Sequence, residues 1–226
     1  MQSFIKRAFN IHEGEMRVAF LMQFYIFLVI TVLLLVKPTV NALFLSNLGV
    51  EQLPYGYLLV ASVAVLSTLF YNRLVKRFSI KIVAISTIVL FSILFFALGY
   101  SIYEEIMFPP VLYFYYLILS LFGVLVTSQF WTISNMVFDA REAKRLFGFI
   151  GAGAIAGGIA GGYITTILSS YFGNSVVIFV ASALLLLCVP IILTVWHMRI
   201  NQLGHFIQSK RKASEKEISG SALKIV

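Results

Sequence analysis

Charge is what this sequence has least of. Only 12% of its 226 residues are Asp, Glu, Lys or Arg, about half the share usual in a soluble domain. Acidic residues are the scarcer sign, 9 against 17 basic ones, leaving a net charge of +8. In a soluble chain that excess would suit nucleic acid. Here the basic residues sit in short clusters between long apolar runs, which excludes nucleic acid as a partner. A single cysteine, Cys188, rules out a disulfide framework within the chain and reads as apolar helix packing. His12, His197 and His205 are scattered, and no zinc or iron–sulfur ligand spacing exists, so no metal site is expected. No nucleophile stands near a base, so the expectation is a protein that is not an enzyme, with no catalytic residues and no cofactor.

What the chain does have is apolar length: 60% of its residues are hydrophobic. Six runs reach the roughly 20 apolar residues that a membrane-crossing helix needs, near 18–45, 55–75, 81–103, 110–137, 146–168 and 174–196. They predict an all-α membrane protein with a six-helix transmembrane domain over 18–196. The first and fourth runs exceed one span and would tilt or extend past the bilayer. The first run is also too long for a signal peptide and lacks a cleavage site, so it stays as a helix. Residues 1–17, with Phe4, Ile5 and Phe9 among basic side chains, read as a segment lying on the cytoplasmic membrane surface. Residues 197–226 are polar and basic (SKRKASEKEISGS) before an apolar end, and read as a cytoplasmic linker.

The lysines and arginines fix a predicted orientation. They fall before helix 1 (Lys6, Arg7, Arg17), between helices 2 and 3 (Arg73, Lys76, Arg77, Lys81), between helices 4 and 5 (Arg141, Lys144, Arg145), and after helix 6. The other connections hold only Glu51, Glu104 and Glu105. Positive charge collects on the cytoplasmic side, so both termini are expected there. Lys37 is the exception, inside helix 1 and followed by Pro38. An intramembrane lysine costs about 2.5–3.5 kcal/mol on insertion scales, and the proline tends to kink its helix. Two readings are open. Lys37 either snorkels to the outer headgroups or lines a substrate path as an anion-binding cation. No acidic residue lies inside the six runs to pair with it, which favours an anionic small molecule or a carboxylate from elsewhere.

Other polar residues in the runs are Gln23, Asn41, Gln129, Thr132, Ser134 and Asn135. Gln129, Thr132 and Asn135 are three apart and are expected on one face. With Lys37 and Asn41 they form the candidate substrate-binding set; interhelical hydrogen bonding explains them equally well. Tyr113, Tyr115 and Tyr116 suit an interfacial belt or a cavity wall, and Trp131 a cavity or packing. Between helices 4 and 5, DAREAKR makes a charged connection. Asp139, Arg141, Glu142, Lys144 and Arg145 are candidates for a gating loop, or for a plain solvated turn. Helix 5 then carries Gly153, Gly157 and Gly161 every fourth residue, with Gly158 and Gly162 beside them. Such a face lets helices approach backbone to backbone, either inside the bundle or against a partner. The glycine row follows no strand and lacks a Gly-Lys-Ser/Thr ending, so it is no phosphate loop.

Six helices ending on a basic linker are the pattern of half a twelve-helix transporter, each half being two inverted three-helix repeats. The fold expected is thus the N-terminal half of a major facilitator-type transporter. Two stretches, LLLVKPTVNALFLSNLGVEQLPYGYLL (33–59) and FWTISNMVFDAREAKRLFGFIGAGAIAGGIAGG (130–162), resemble the ATP/ADP translocase (nucleotide transporter) family within the wider major facilitator superfamily. The resemblance implies a multi-pass secondary transporter of a bacterial inner membrane that exchanges ATP for ADP by alternating access. It also implies a transport lysine at or near Lys37. The expected partners are lipid, a nucleotide-like anion, and a second six-helix half or a homodimer partner. Alternatives are a facilitator for another small solute, or a non-transporting domain that anchors fused regulatory modules.

Overall fold

A computed structural model describes residues 15–200. The surface segment expected over 1–17 and the linker expected over 197–226 fall almost entirely outside the described residues. Six spans are present among them. α1 is Glu15–Leu48, α2 Leu53–Arg77, α3 Ile80–Tyr103, α4 Pro109–Val137 and α5 Ala140–Phe172. The sixth span is broken into α6 (Asn174–Leu186) and α7 (Cys188–Val195). Pro190 explains the break, since it offers no N–H to the carbonyl of Leu186 four residues back.

Local chemistry sets the ends. Gly49 and Gly173 adopt φ of 81° and 83° between spans, a conformation that glycine enters without steric cost. Proline occupies the first turn of α2 and of α4, where a missing N–H leaves nothing unsatisfied. The Ser79 side chain caps α3. The fifth span begins at Ala140, earlier than the apolar run. The connection expected from Asp139 to Arg145 is therefore not a loop. Asp139 accepts hydrogen bonds from the backbone N–H groups of Arg141 and Glu142, and Glu142 accepts one from the N–H of Asp139. This capping box makes residues 140–145 the opening turns of the helix.

α1 is the hub. It packs against α4, α5 and both parts of the sixth span, while α3 packs on α6. α2 lies chiefly on α4. The first three spans and the last three thus exchange middle helices, α1 taking α5 and α4 taking α2, as inverted repeats with a two-fold between them require. Ser92 and Ser182 mark that two-fold at the α3–α6 contact. The Ser92 hydroxyl donates to the Ser182 carbonyl at 3.0 Å, and the Ser182 hydroxyl donates to the Ser92 carbonyl at 2.8 Å.

The α1–α5 contact is the tightest in the bundle. A methyl carbon on Gly153 would lie 2.5 Å from the Gln23 carbonyl oxygen, and one on Gly161 2.8 Å from that of Thr31. One on Gly157 would strike the Phe27 carbonyl. Backbones this close let side chains of one helix reach main-chain oxygens of the other. Gln23 Nε2 donates to Phe149 O (3.0 Å) and Thr31 Oγ1 to Gly157 O (3.2 Å). Thr165 Oγ1 shares its proton between Gly161 O of its own helix (2.7 Å) and Leu34 O of α1 (3.0 Å). That last oxygen is free because Pro38, four residues on, has no N–H to offer it. α1 nevertheless runs unbroken through Pro38. The second glycine row differs. Gly158 would meet only a methyl of Ile30, at 3.9 Å, and Gly162 nothing within 4 Å. Each is rotated about 100° from the contact row, so neither takes part in the close α1–α5 contact.

Gly157→Ala is expected to lower stability by about 1–3 kcal/mol, since its methyl meets backbone that has no room to yield. Gly162→Ala is expected to be neutral or to stabilise by up to about 1 kcal/mol through helix propensity. Thermal unfolding of the purified chain in detergent separates the two.

Candidate functional site

Lys37 is exposed, and no carboxylate pairs with it among the described residues. Leu33 and Phe44 lie four residues before it and seven after, on the same face of the helix. That face meets α4: a methyl on Gly123 would touch Leu33 at 3.4 Å, and the Phe44 ring lies 5.2 Å from Tyr113 and 4.9 Å from Tyr116. The ammonium group therefore stands at the edge of the α1–α4 seam. The Lys37 backbone lies roughly 8 Å from the midpoint of α1, at ~1.5 Å per residue, so in a bilayer centred on that helix its Cα falls within the apolar core. Asn41, one turn further on, is half-buried.

The α4 residues do not share a face. Gln129 is fully buried and donates from Nε2 to Thr87 Oγ1 of α3 at 2.9 Å. Thr132 is half-buried and donates to the Ser128 carbonyl of its own helix. Asn135 is exposed. Each step of three falls about 60° short of a full turn, so two steps carry the row from the core to the surface. Lys37, Asn41 and Asn135 remain accessible; Gln129 belongs to the interior.

The tyrosines of α4 pack between helices. Tyr115 and Tyr116 are buried, and Tyr113 donates its hydroxyl to Gln52 Oε1 at 2.8 Å, tying α4 to the turn before α2. Interhelical contact claims them because both neighbours present aromatic or amide groups at that depth. Trp131 is partly packed, 5.4 Å from the Phe147 ring of α5. At the start of α5, Arg141 and Lys144 are exposed, Arg145 is half-buried, and Glu142 is buried within the capping box. Sequence inspection missed Thr87, whose hydroxyl on α3 accepts from Gln129; a threonine is an ordinary residue in an apolar run, and its partner lies on another helix.

The sequence model of the Major Facilitator Superfamily matches residues 16–224, spanning all six helices. The chain belongs to the Major Facilitator Superfamily. No curated protein and no solved structure matches it. The superfamily makes it a multi-pass secondary transporter, and the repeat-swapped bundle is one six-helix half of that fold. In this facilitator the accessible polar groups identified on α1 and α4 are the candidates for contact with solute.

Asp139→Ala is expected to cost about 0.5–2 kcal/mol by uncapping α5, and Asp139→Asn much less, because an amide oxygen still accepts the N–H bonds. Thermal unfolding of the two variants side by side tests this.

Proposed function

We propose that this facilitator moves a nucleotide or similar phosphate-bearing anion by exchange across a bacterial inner membrane, as an N-terminal half in the manner of the ATP/ADP translocases it resembles. The observation that carries the reading is Lys37. It is a cation without a carboxylate partner among the described residues, exposed at the edge of the α1–α4 seam. Holding an unpaired cation at such depth is costly, and a mobile anion offsets that cost on every visit. Asn41 and Asn135 supply uncharged hydrogen-bond groups for the rest of the solute, and Thr132 lies between accessible and interior positions. Exchange of anions also suits spans whose only described carboxylates stand in end turns, since proton coupling in membranes normally uses an embedded acid or histidine.

Orientation follows the charge. The ends bearing Arg17, Arg73, Lys76, Arg77, Lys81, Arg141, Lys144 and Arg145 face the cytoplasm, by the positive-inside rule. Alternating access then needs a second six-helix body, either another half or a second copy. The faces of α2 and α5 turned from the bundle suit that contact. Ile155, Ile159 and Tyr163 are 70%, 72% and 71% exposed, one apolar row opposite the glycines.

The test is counter-exchange in proteoliposomes, with labelled ATP outside and ADP inside or absent. Uptake is expected to depend on internal ADP, to vanish in Lys37→Ala, and to survive in part in Lys37→Arg, which keeps the charge. Uptake indifferent to Lys37→Ala would remove the lysine from the path. No nucleotide uptake in either condition would leave a facilitator for another solute, or an anchoring domain.

A further inference from the structure

The turn between α2 and α3 gathers four cations and no acid. Arg73, Lys76 and Arg77 close α2, and Lys81 stands in the first turn of α3. The first three are exposed and, being three and four residues apart, share one face of their helix. None of the four pairs with a carboxylate among the described residues. The α4–α5 connection is built otherwise, with Arg141, Lys144 and Arg145 standing among Asp139 and Glu142. Like charges at this spacing repel, and a cation in the first turn opposes the helix dipole. An anion at the α2–α3 turn relieves both.

Apolar surface lies beside this charge. Leu66 and Phe70 are exposed, and steps of four, three and four residues join Leu66, Phe70, Arg73 and Arg77 in one stripe along α2. Phe78 and Ile82, on either side of the connection, are exposed as well. The Arg77 guanidinium lies over the Phe78 ring, 5.8 Å from its centroid, as a cation over an aromatic face. The stripe runs from apolar within the span to cationic at its end, the order of chain and phosphate in a lipid. A free phosphate would use the cations alone and leave the apolar stripe bare. A two-fold contact with a second copy would set the cations against their own equivalents.

We propose that this face of α2 binds an anionic phospholipid, its phosphate held by Arg73, Arg77 and the neighbouring lysines and its chain lying along Leu66 and Phe70. Planar guanidinium groups bond phosphate oxygens in pairs, which suits arginine at both stripe positions. The site is on the flank that protein contacts hold least, since Gly56 is the only buried residue of α2. It does not depend on which solute the facilitator carries.

Native mass spectrometry of the full chain, delipidated in neutral detergent and titrated with phosphatidylglycerol or phosphatidylcholine of matched chains, tests this. Phosphatidylglycerol is expected to bind in preference. Arg73→Gln with Arg77→Gln is expected to weaken it on the order of tenfold and to leave phosphatidylcholine unchanged. Arg73→Lys with Arg77→Lys, which keeps the charge, is expected to lose less. Arg141→Gln with Lys144→Gln removes the same charge from the α4–α5 end and is expected to keep the preference. Equal binding of the two lipids, or equal loss in both glutamine pairs, overturns the proposal. Displacement of the lipid by millimolar orthophosphate would assign the cations to a free anion, and lipid on monomers but not on dimers would assign the face to a second copy. Either result overturns it too.

Discussion

Backbone-to-backbone approach of α1 and α5 is the constraint on which this bundle rests. In lipid, apolar burial gives little drive for helices to associate, so close packing and interhelical hydrogen bonds carry the load. Gly153, Gly157 and Gly161 supply both at once. Absent side chains bring main-chain atoms into contact, and that proximity places the Phe149, Gly157 and Leu34 carbonyls within reach of Gln23, Thr31 and Thr165. α1 held in this way becomes a wall against which α4 and the sixth span pack.

The two repeats use the same plan with unequal firmness. The α1–α5 pair is locked through its backbones, whereas its counterpart, α2 on α4, buries one glycine and meets largely through aromatic rings. The Ser92–Ser182 exchange at the two-fold ties the repeats symmetrically, so the inequality lies in the flanks. A carrier with one rigid flank and one lightly attached flank has a natural division of labour. α1 and α5 hold Lys37 in a fixed register, while α2, with Gly56 as its one buried residue, is the more lightly held flank.

Much of this was legible in the sequence, and the failures have a common cause. Run length located six spans, because the bilayer thickness demands it. Fourfold glycine spacing marked one face of α5, although the choice between Gly157 and Gly158 depended on which side α1 occupies, and no single helix carries that information. The same limit misplaced Gln129, Thr132 and Asn135. A spacing of three looks like one face over one step and drifts to another over two. Asp139 to Arg145 read as a loop because charge suggested a connection, while the Asp–Glu spacing that builds a capping box was already written there. The superfamily is secure from the whole-chain match. The candidates for solute contact, Lys37, Asn41 and Asn135, are few, and a lysine is compatible with many anions.

The proline in α1 has an effect beyond its own helix. By withholding an N–H it leaves the Leu34 oxygen unclaimed, and the Thr165 hydroxyl takes it up. Pro38 and Thr165 are therefore one joint made from two distant points of the chain. Restoring an amide at position 38 would give that oxygen a second donor, which its two lone pairs accommodate, whereas removing the hydroxyl at 165 would strand the carbonyl that the proline exposes. The two positions are answerable to each other: whatever residue stands at one changes what is tolerable at the other, and a variant that looks harmful alone can become harmless when both change together.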